Sequence, residues 1–493
     1  MRCFARAFGL AILVVLAGCK QPQPPPTPVP PAPTASGYGQ VPSITASAPG
    51  TAGAAQRFLV DMDVPGQWWT LFHSAELNAL IDEGIRANPD VAAAQAALRS
   101  ARETLYAQRA SAYPNAQGSL SISRQQVPTF YAPPINNRNS EYVYGVHTAS
   151  LDVAYTPDVF GNLRYQTATT AAAVDVQRFE VEATYLTLTS NIAATAFTLA
   201  SLRGQIEVTN RIVAIDRDLL KLTQTARTYA QAAGLDVLTQ EAALRAAEQS
   251  LPALDKQLAQ TRDQLARLVG RAPSDTPIAA FDLASLHLPE DLPLSLPSKL
   301  ILQRPDIAAA GAAIAQAGAQ VGVAYTNRLP NFSITAQTAT QALSLMGLFG
   351  PGSFLSTLTA EAATTFYDHG TLKHREASAI AAYDQAAAAY QGTVLSGLQN
   401  VADALAALRT DADALRAAVR SAATADHALR IVRYQDEAGE VSQLAVLNAE
   451  QTYQQAELAL VQVQAARYSD TAALFQALGG GWWNRPDTAP YTR

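Results

Sequence analysis

A segment of 28 residues occurs twice in this chain, and the two copies constrain what it can fold into. Asn88–Asn115 reads NPDVAAAQAALRSARETLYAQRASAYPN and Arg304–Asn331 reads RPDIAAAGAAIAQAGAQVGVAYTNRLPN. Aligned without a gap, 216 residues apart, they share ten identities, among them Pro89/Pro305, Asp90/Asp306, Pro114/Pro330 and Asn115/Asn331. An ungapped internal duplication says that the 493 residues are two copies of one unit and not a string of unrelated domains. Each copy begins like a helix, runs alanine-rich, and stops at Pro-Asn before a strand-like segment. Proline ends a helix and tolerates the start of a strand, so Pro114 and Pro330 mark the crossover.

Beyond each crossover two segments alternate. Ala116, Gly118, Leu120 and Ile122 interleave with Gln117, Ser119, Ser121 and Ser123, and Ala149, Leu151, Val153 and Tyr155 interleave with Ser150, Asp152 and Ala154. The polar, proline-containing stretch Arg124–Glu141 reads as the loop between them. The second half repeats the pattern with Phe332, Ile334 and Ala336, then Leu358, Ala360, Ala362 and Phe366, around a Gly/Pro loop at Met346–Ser353. Apolar on one face and polar on the other at period two is the signature of a half-buried strand. After residue 19 no stretch supplies the roughly eighteen consecutive apolar residues of a membrane-crossing helix, so any crossing there falls to the strands. Strands of about ten residues suit a tilted span, lipid forbids open sheet edges, and four strands are too few to close, since the smallest membrane barrels have about eight. Several protomers must share one barrel. Eight strands from a dimer would leave a filled interior and twelve from a trimer a channel, and the residues themselves leave the number open.

A very long helical pattern follows each strand pair. Between Gly161 and about Arg227 there is no proline, and Ile192, Leu199, Ile206, Val213 and Leu220 recur every seven residues. From Leu372 to about Gln435, Val394, Val401, Leu408 and Leu415 do the same, with Leu398, Leu405, Ala412 and Val419 as the partner row. Strict sevens make left-handed supercoiling helices, and such a run at 1.5 Å per residue spans on the order of 100 Å. Each ends in a glycine-containing turn, Ala232-Ala233-Gly234-Leu235 and Ala438-Gly439-Glu440-Val441, and a return helix runs to about Gly270 and about Leu478. The proline-rich stretch Ala272–Pro297 joins the halves.

The N-terminus carries an address. Arg2 and Arg6 precede an apolar run from Phe8 to Leu16, and Leu16-Ala17-Gly18-Cys19 is a small-residue cleavage site ending in cysteine. This resembles a bacterial lipobox, which makes Cys19 the acylated first residue of the mature chain. Lys20, in place of an aspartate, points by the same resemblance to the outer membrane. Gln21–Pro33 is an extended polyproline tether. The other cysteine, Cys3, lies in the removed segment, so the mature chain has no disulfide and no cysteine metal site. Charged residues make up 15% and the formal charge is −6, which supplies no basic face for nucleic acid. There is no HExxH, P-loop, GxSxG or GxGxxG, and the six histidines are dispersed, so the sequence reads as a non-enzyme with no metal site.

Several motifs fall in a fixed order: Trp68-Trp69-Thr70-Leu71-Phe72, Asn88-Pro89-Asp90-Val91, Pro157-Asp158-Val159-Phe160-Gly161-Asn162-Leu163-Arg164, Gln303-Arg304-Pro305-Asp306-Ile307, Phe366-Tyr367-Asp368-His369-Gly370-Thr371-Leu372, Val401-Ala402-Asp403-Ala404-Leu405 and Ala477-Leu478-Gly479-Gly480-Gly481-Trp482-Trp483. With them nearly the whole mature chain resembles the TolC family of outer membrane factors, in particular the lipoprotein branch paired with resistance–nodulation–division (RND) efflux pumps. The resemblance implies an α+β membrane protein with a two-fold internal repeat. Four strands per protomer would join a shared twelve-stranded trimeric β-barrel, and the long helices would form a coiled-coil tunnel through the periplasm. It divides the chain into a lipoprotein signal peptide (1–18), a lipid-anchored Pro-rich tether (19–57), a first outer membrane efflux repeat (58–271), a linker (272–297), a second repeat (298–483) and a tail (484–493).

The function implied is the exit duct of a tripartite efflux pump in the outer membrane of a Gram-negative bacterium, a passive conduit for drugs or other small toxic compounds that opens at its periplasmic end. The implied partners are two further copies of the chain, a periplasmic adaptor (membrane fusion) protein, an inner membrane RND-type transporter and outer membrane lipid. No cofactor is implied beyond N-palmitoyl and S-diacylglycerol groups on Cys19. In the family, residues at the start of the last return helix, commonly aspartates, ring the closed end. The corresponding stretch is Leu444–Gln451, with Ala445 and Asn448 where relatives often carry aspartate. Leu444, Asn448, Gln451 and, in the first half, Thr239 are therefore the candidate gate, closed by hydrogen bonds and an apolar constriction at Leu444. Asp236 and Glu450 are the nearby charges, and a coiled-coil register position is the alternative role for Asn448. Gly234, Leu235, Gly439 and Glu440 are the candidate adaptor-docking tips. A duct for type I protein secretion or metal-ion export fits the same residues. The alternating segments speak against a third reading, a non-conducting lipid-anchored coiled-coil scaffold.

Overall fold

The repeated helix and strand signals fold into elements of repeated length. The computed structural model describes residues 43–60, 62–128, 141–275, 282–294, 299 and 303–485. A short helix α1 (Ala75–Ala87) comes first. Two 22-residue helices then begin at the duplicated prolines, α2 (Pro89–Ala110) and α5 (Pro305–Thr326). Two 67-residue helices, α3 (Asn162–Thr228) and α6 (Thr371–Glu437), and two 35-residue return helices, α4 (Gly234–Leu268) and α7 (Gln443–Ala477), complete the halves. The strands are β1 (Arg57–Val60), β2 (Asn115–Pro128), β3 (Glu141–Tyr155), β4 (Asp291–Leu294), β5 (Asn331–Ala342) and β6 (Phe354–Ala363).

Contacts divide the chain into two compact units that cut across the duplication, so each half contributes to both. The first comprises Arg99–Val176 and Gly311–Ala389. Its centre is an antiparallel four-stranded sheet of order β2-β3-β5-β6. The aspartates of the two strand-to-helix motifs cap the long helices. Asp158 accepts from the backbone N–H of Leu163 at 3.0 Å and of Arg164 at 3.1 Å, and Asp368 accepts from those of Gly370 at 2.9 Å and Leu372 at 2.7 Å. Both supply acceptors to the orphan donors of a helix start. Gly161 and Gly370, each at φ +86°, turn the chain into those helices in a conformation that glycine adopts without strain. Asn162 donates to Thr326 Oγ1 at 2.8 Å, which pins the start of α3 to the end of α5.

The second unit comprises the described residues of Pro31–Leu98, Gln177–Ala310 and Tyr390–Arg493. Within its largely aliphatic core lies an aromatic cluster. The 3-10 turn Trp68–Phe72 buries Trp68, Trp69 and Phe72. Trp68 stacks on Phe475 at 5.4 Å and 16°, and Phe197 lies between Phe72 at 5.2 Å and Tyr468 at 5.7 Å. The duplicated Pro-Asp motif has a distinct structural task here. The Asn88 side-chain amide donates to the carbonyl of Leu268 at 2.9 Å, and Arg304 Nη1 donates to that of Ala477 at 2.9 Å. Leu268 and Ala477 are the last residues of α4 and α7, so in each half the motif that starts one helix satisfies an orphan carbonyl at the end of another.

Several expectations are corrected. β2 runs on to Pro128 and β3 begins at Glu141, so Arg124–Pro128 and Glu141 belong to strands and not to the loop. Arg124, Gln125 and Gln126 are all polar, so no alternation marks this end of the strand. Phe366 lies beyond β6 and is 95% exposed. The stretch 272–297 is more than a linker: β4 pairs in parallel with β1, burying Phe58 beside Leu292. A four-residue strand containing proline is too short and too broken for a pattern to reveal. Helix α5 reaches a mean hydropathy of 1.4 over eighteen residues, enough by length and composition to cross a membrane; the count of consecutive apolar residues passes it over because Gln and Gly interrupt it. Its alanines and glycines pack instead within the first unit, where the Gly322 Cα faces the Tyr165 ring so closely that a Cβ would sit 2.5 Å from it. Residues 1–18 and Cys19 lie outside the described residues, and of the tail only Asn484 and Arg485 are described.

Candidate functional site

Directly opposed residues in an antiparallel pair point to the same side, so the register separates the sheet's faces. Ala116↔Val153, Gly118↔Leu151 and Leu120↔Ala149 fall on one side, with Ile334↔Ala360, Ala336↔Leu358 and Phe332↔Ala362. Across the middle of the sheet Val153↔Ala336 and Tyr155↔Ile334 place these on the same side. The other side carries Gln117↔Asp152, Ser119↔Ser150, Ser121↔Thr148, Thr335↔Thr359, Gln337↔Thr357 and Ser333↔Glu361, joined by Asp152↔Gln337. One face is thus apolar and one polar, and both stand exposed in the single chain, Leu120 at 65% and Leu358 at 76%. Strands β2 and β6 each have one neighbour in the sheet and one open edge. The polar face is cross-linked: Ser119 and Ser150 share a hydrogen bond of 2.8 Å, Ser150 Oγ donates to Asp152 at 2.7 Å, and Gln337 Nε2 donates to Asp152 at 2.6 Å.

At the far end of the long helices the second unit builds a junction around one buried acid. Asp216 on α3 is 1% exposed. Its Oδ1 accepts from Gln451 Nε2 of α7 at 2.8 Å and from Gln240 Nε2 of α4 at 3.3 Å. Burial raises its carboxyl pKa above the ordinary value, and the bond from Gln240 opposes that shift. Ile215, Leu219 and Leu447 pack beside it as a small apolar cluster. Three helices from both halves of the chain therefore meet at a single carboxylate.

Of the candidate gate residues, only Gln451 joins this junction. Thr239 is exposed and spends its hydroxyl on the carbonyl of Leu235 at 2.9 Å. Leu444 is 42% exposed, and Asn448 is exposed on the same helix. Glu450 forms an ion pair with Arg433 at 3.3 Å, so it is not a bare charge. The two turns differ from expectation at the backbone. In the second, Gly439 takes the left-handed conformation at φ 73°, but in the first that position is Ala230 at φ 57°, and Gly234 begins α4. Both close with the same hydrogen bond, from Gln231 to Ala226 O and from Glu440 to Gln435 O, each 2.8 Å. Leu235 is 72% exposed at the tip, beside Leu238 and Tyr229.

Asp216 was the residue that sequence reasoning missed, although it left a signal. It stands three positions after Val213, in the partner row of the heptad with Leu202 and Thr209, both buried. A carboxylate in a core row demands partners, and the sequence does not say which. Further up the same unit Arg467, fully buried, donates to the carbonyls of Ala52 and Ala54, both at 2.8 Å, and to Thr45 Oγ1 at 3.1 Å. Near it burial and a hydrogen bond with Asp470 push the Asp411 carboxyl up to about 7. Among the described residues no group of three or more His, Cys, Asp or Glu is arranged to hold a metal ion.

The profile described as outer membrane efflux protein matches residues 80–271 and 296–480. The chain is 30% identical over 454 residues to outer membrane protein OprJ of Pseudomonas aeruginosa, covering 87% of this chain and 89% of that protein. It is 26% identical over 417 residues to the pyoverdine export outer membrane protein OpmQ of Pseudomonas putida, covering 84% and 88% respectively. Among solved structures, the CmeC outer membrane channel of Campylobacter jejuni superposes with a TM-score of 0.80 at 21% identity, over 88% of this chain and 91% of that one.

Proposed function

The chain belongs to the outer membrane efflux protein family, and from that premise we propose that it is the exit duct of a tripartite pump that expels drugs or other small toxic compounds. It is an efflux channel of the outer membrane and works with an adaptor and an inner membrane transporter. We take the transporter to be of the RND type.

The observation that carries the reading is the four-stranded sheet with one apolar face, one polar face and two open edges. An open edge in lipid leaves backbone groups unpaired, at several kcal/mol each by rough count. Pairing β2 of one copy with β6 of the next removes both edges. Three copies make a twelve-stranded barrel wide enough for a channel, with the apolar face toward lipid and the polar face toward water. The long helices continue the conduit through the periplasm, and acyl groups on Cys19 tether each copy to the membrane.

The junction at Asp216, with Gln451, is the part we assign to the gate, since it ties the return helix of the second half to the long helix of the first. The tips at Gly234, Leu235, Gly439 and Glu440 are the surface we assign to the adaptor. Chromatography of the detergent-solubilised protein with mass determination, followed by planar-bilayer recording, tests the duct. A trimer that conducts is the expected result; a monomer, or a trimer without conductance, would sink the proposal.

A further inference from the structure

The two faces of the sheet differ in more than polarity. On the polar face, among the described residues, every strand position is neutral apart from Asp152 and Glu361, and there is no lysine, arginine or histidine. The alternation needs no carboxylate, since serine, threonine and glutamine serve the other polar positions. Neither acid has a cationic partner among the described residues. Asp152 is also held in place: Oδ1 accepts from Gln337 Nε2 at 2.6 Å and Oδ2 from Ser150 Oγ at 2.7 Å. Those donors are neutral and lie on the same face, so they orient the charge without cancelling it. The register sets the two acids at different heights. Asp152 stands level with Gln337 and Thr357, whereas Glu361 stands level with Ser333, about 13 Å further along the strand at about 3.3 Å per residue.

Resting on the duct reading above, we propose that Asp152 and Glu361 make the barrel lumen selective for cations, so that the ion preference of this duct is set within its membrane-spanning section. Symmetry turns each acid into a ring of like charge facing water between low-dielectric walls, where a fixed charge acts further than it does on an open surface. Small cations are concentrated there and anions of similar size are held back. Two acids near the helix turns are placed differently: Asp216 is buried, and Glu450 is paired with Arg433.

The test is the reversal potential of purified protein in a planar bilayer under a KCl gradient, which reads the ratio of potassium to chloride permeability. The wild-type ratio should exceed one. Asp152→Asn with Glu361→Gln should lower it about twofold or more, and the loss should be smaller at 1 M salt, where screening shortens to about 3 Å. Asp152→Glu should retain the wild-type ratio, as should Glu437→Gln, an exposed acid at the end of α6. An unchanged ratio in the double variant, a chloride preference in wild type, or a loss confined to Glu437→Gln would overturn the inference while leaving the duct intact. A wild-type protein that is not a conducting trimer would overturn the duct reading itself, and the inference with it.

Discussion

Replacing Gln451 by alanine should loosen the closed end of the duct, and the structure sets the scale. The Gln451 amide makes the shorter of the two bonds that Asp216 accepts, 2.8 Å against 3.3 Å for Gln240. A hydrogen bond to a charged group contributes roughly 1.5–3 kcal/mol. Gln451 is only half-buried, so water can replace part of the lost bond, and about 1–2 kcal/mol remains. At about 1.4 kcal/mol per tenfold change, the closed-to-open ratio should fall about 5- to 30-fold. Planar-bilayer recording reads this as a higher open probability or a larger mean conductance. Asp216→Ala should act in the same direction, and the double variant should do little more than either single one. That non-additivity is the decisive measurement, because it isolates the contact between two helices from the general damage each substitution does. If the effects of Asp216→Ala and Gln451→Ala add to within about 0.3–0.5 kcal/mol, the two residues are not coupled, and Asp216 is not a clasp.

Other predictions concern stability. Ala230 occupies a left-handed position that Gly439 fills in the other half, so Ala230→Gly should stabilise by about 0.5–1 kcal/mol and Gly439→Ala should destabilise by about as much, read from thermal midpoints. Asp411, raised to about 7 from 3.8, contributes stability that is fully present below 3.8 and is lost as pH rises through about 7. Asp411→Asn should therefore flatten the pH dependence of the midpoint between those values and raise the midpoint at alkaline pH. Arg467→Ala removes a buried cation that binds Thr45, Ala52 and Ala54, and should cost about 3–5 kcal/mol. The segment near those residues should become accessible to protease well below the temperature at which the rest melts, and an unaltered digestion pattern would show that Arg467 does not hold it.

What the sequence made legible was periodic or punctuated. The prolines at 89 and 305 mark the starts of α2 and α5, Pro-Asn marks the starts of β2 and β5, and the proline-free runs that carry the heptads outline α3 and α6 to within a residue or two. These signals are local, since a proline or an apolar stripe acts on its own helix whatever packs against it. The hidden parts depended on contacts between segments far apart in the chain. Gln451 meets Asp216 from 235 residues away, and β1 meets β4 across most of the first half. The tip of the first half misled for another reason. Glycine is the usual left-handed residue, so Gly234 drew the turn toward itself, although an alanine earlier in the loop carries the strain.

The same contrast separates what the duplication built from the junction proposed as the gate. The long and return helices of the two halves superimpose at a constant spacing, 162 to 371, 228 to 437, 234 to 443 and 268 to 477. At that spacing Asp216 falls on Ala425, and Gln451 falls on Ala242. Neither partner of the clasp has a counterpart in the other half. A symmetric pair of clasps would bind each half to the other twice and resist any motion that moves one coil past its neighbour. With one clasp, one long helix is tied to the return helix of the other half, and the equivalent positions, Ala425 and Ala242, carry no polar side chain. On the gate assignment proposed above, opening parts one carboxylate from its amides, a step of a few kcal/mol, with the apolar seams of both coils left packed.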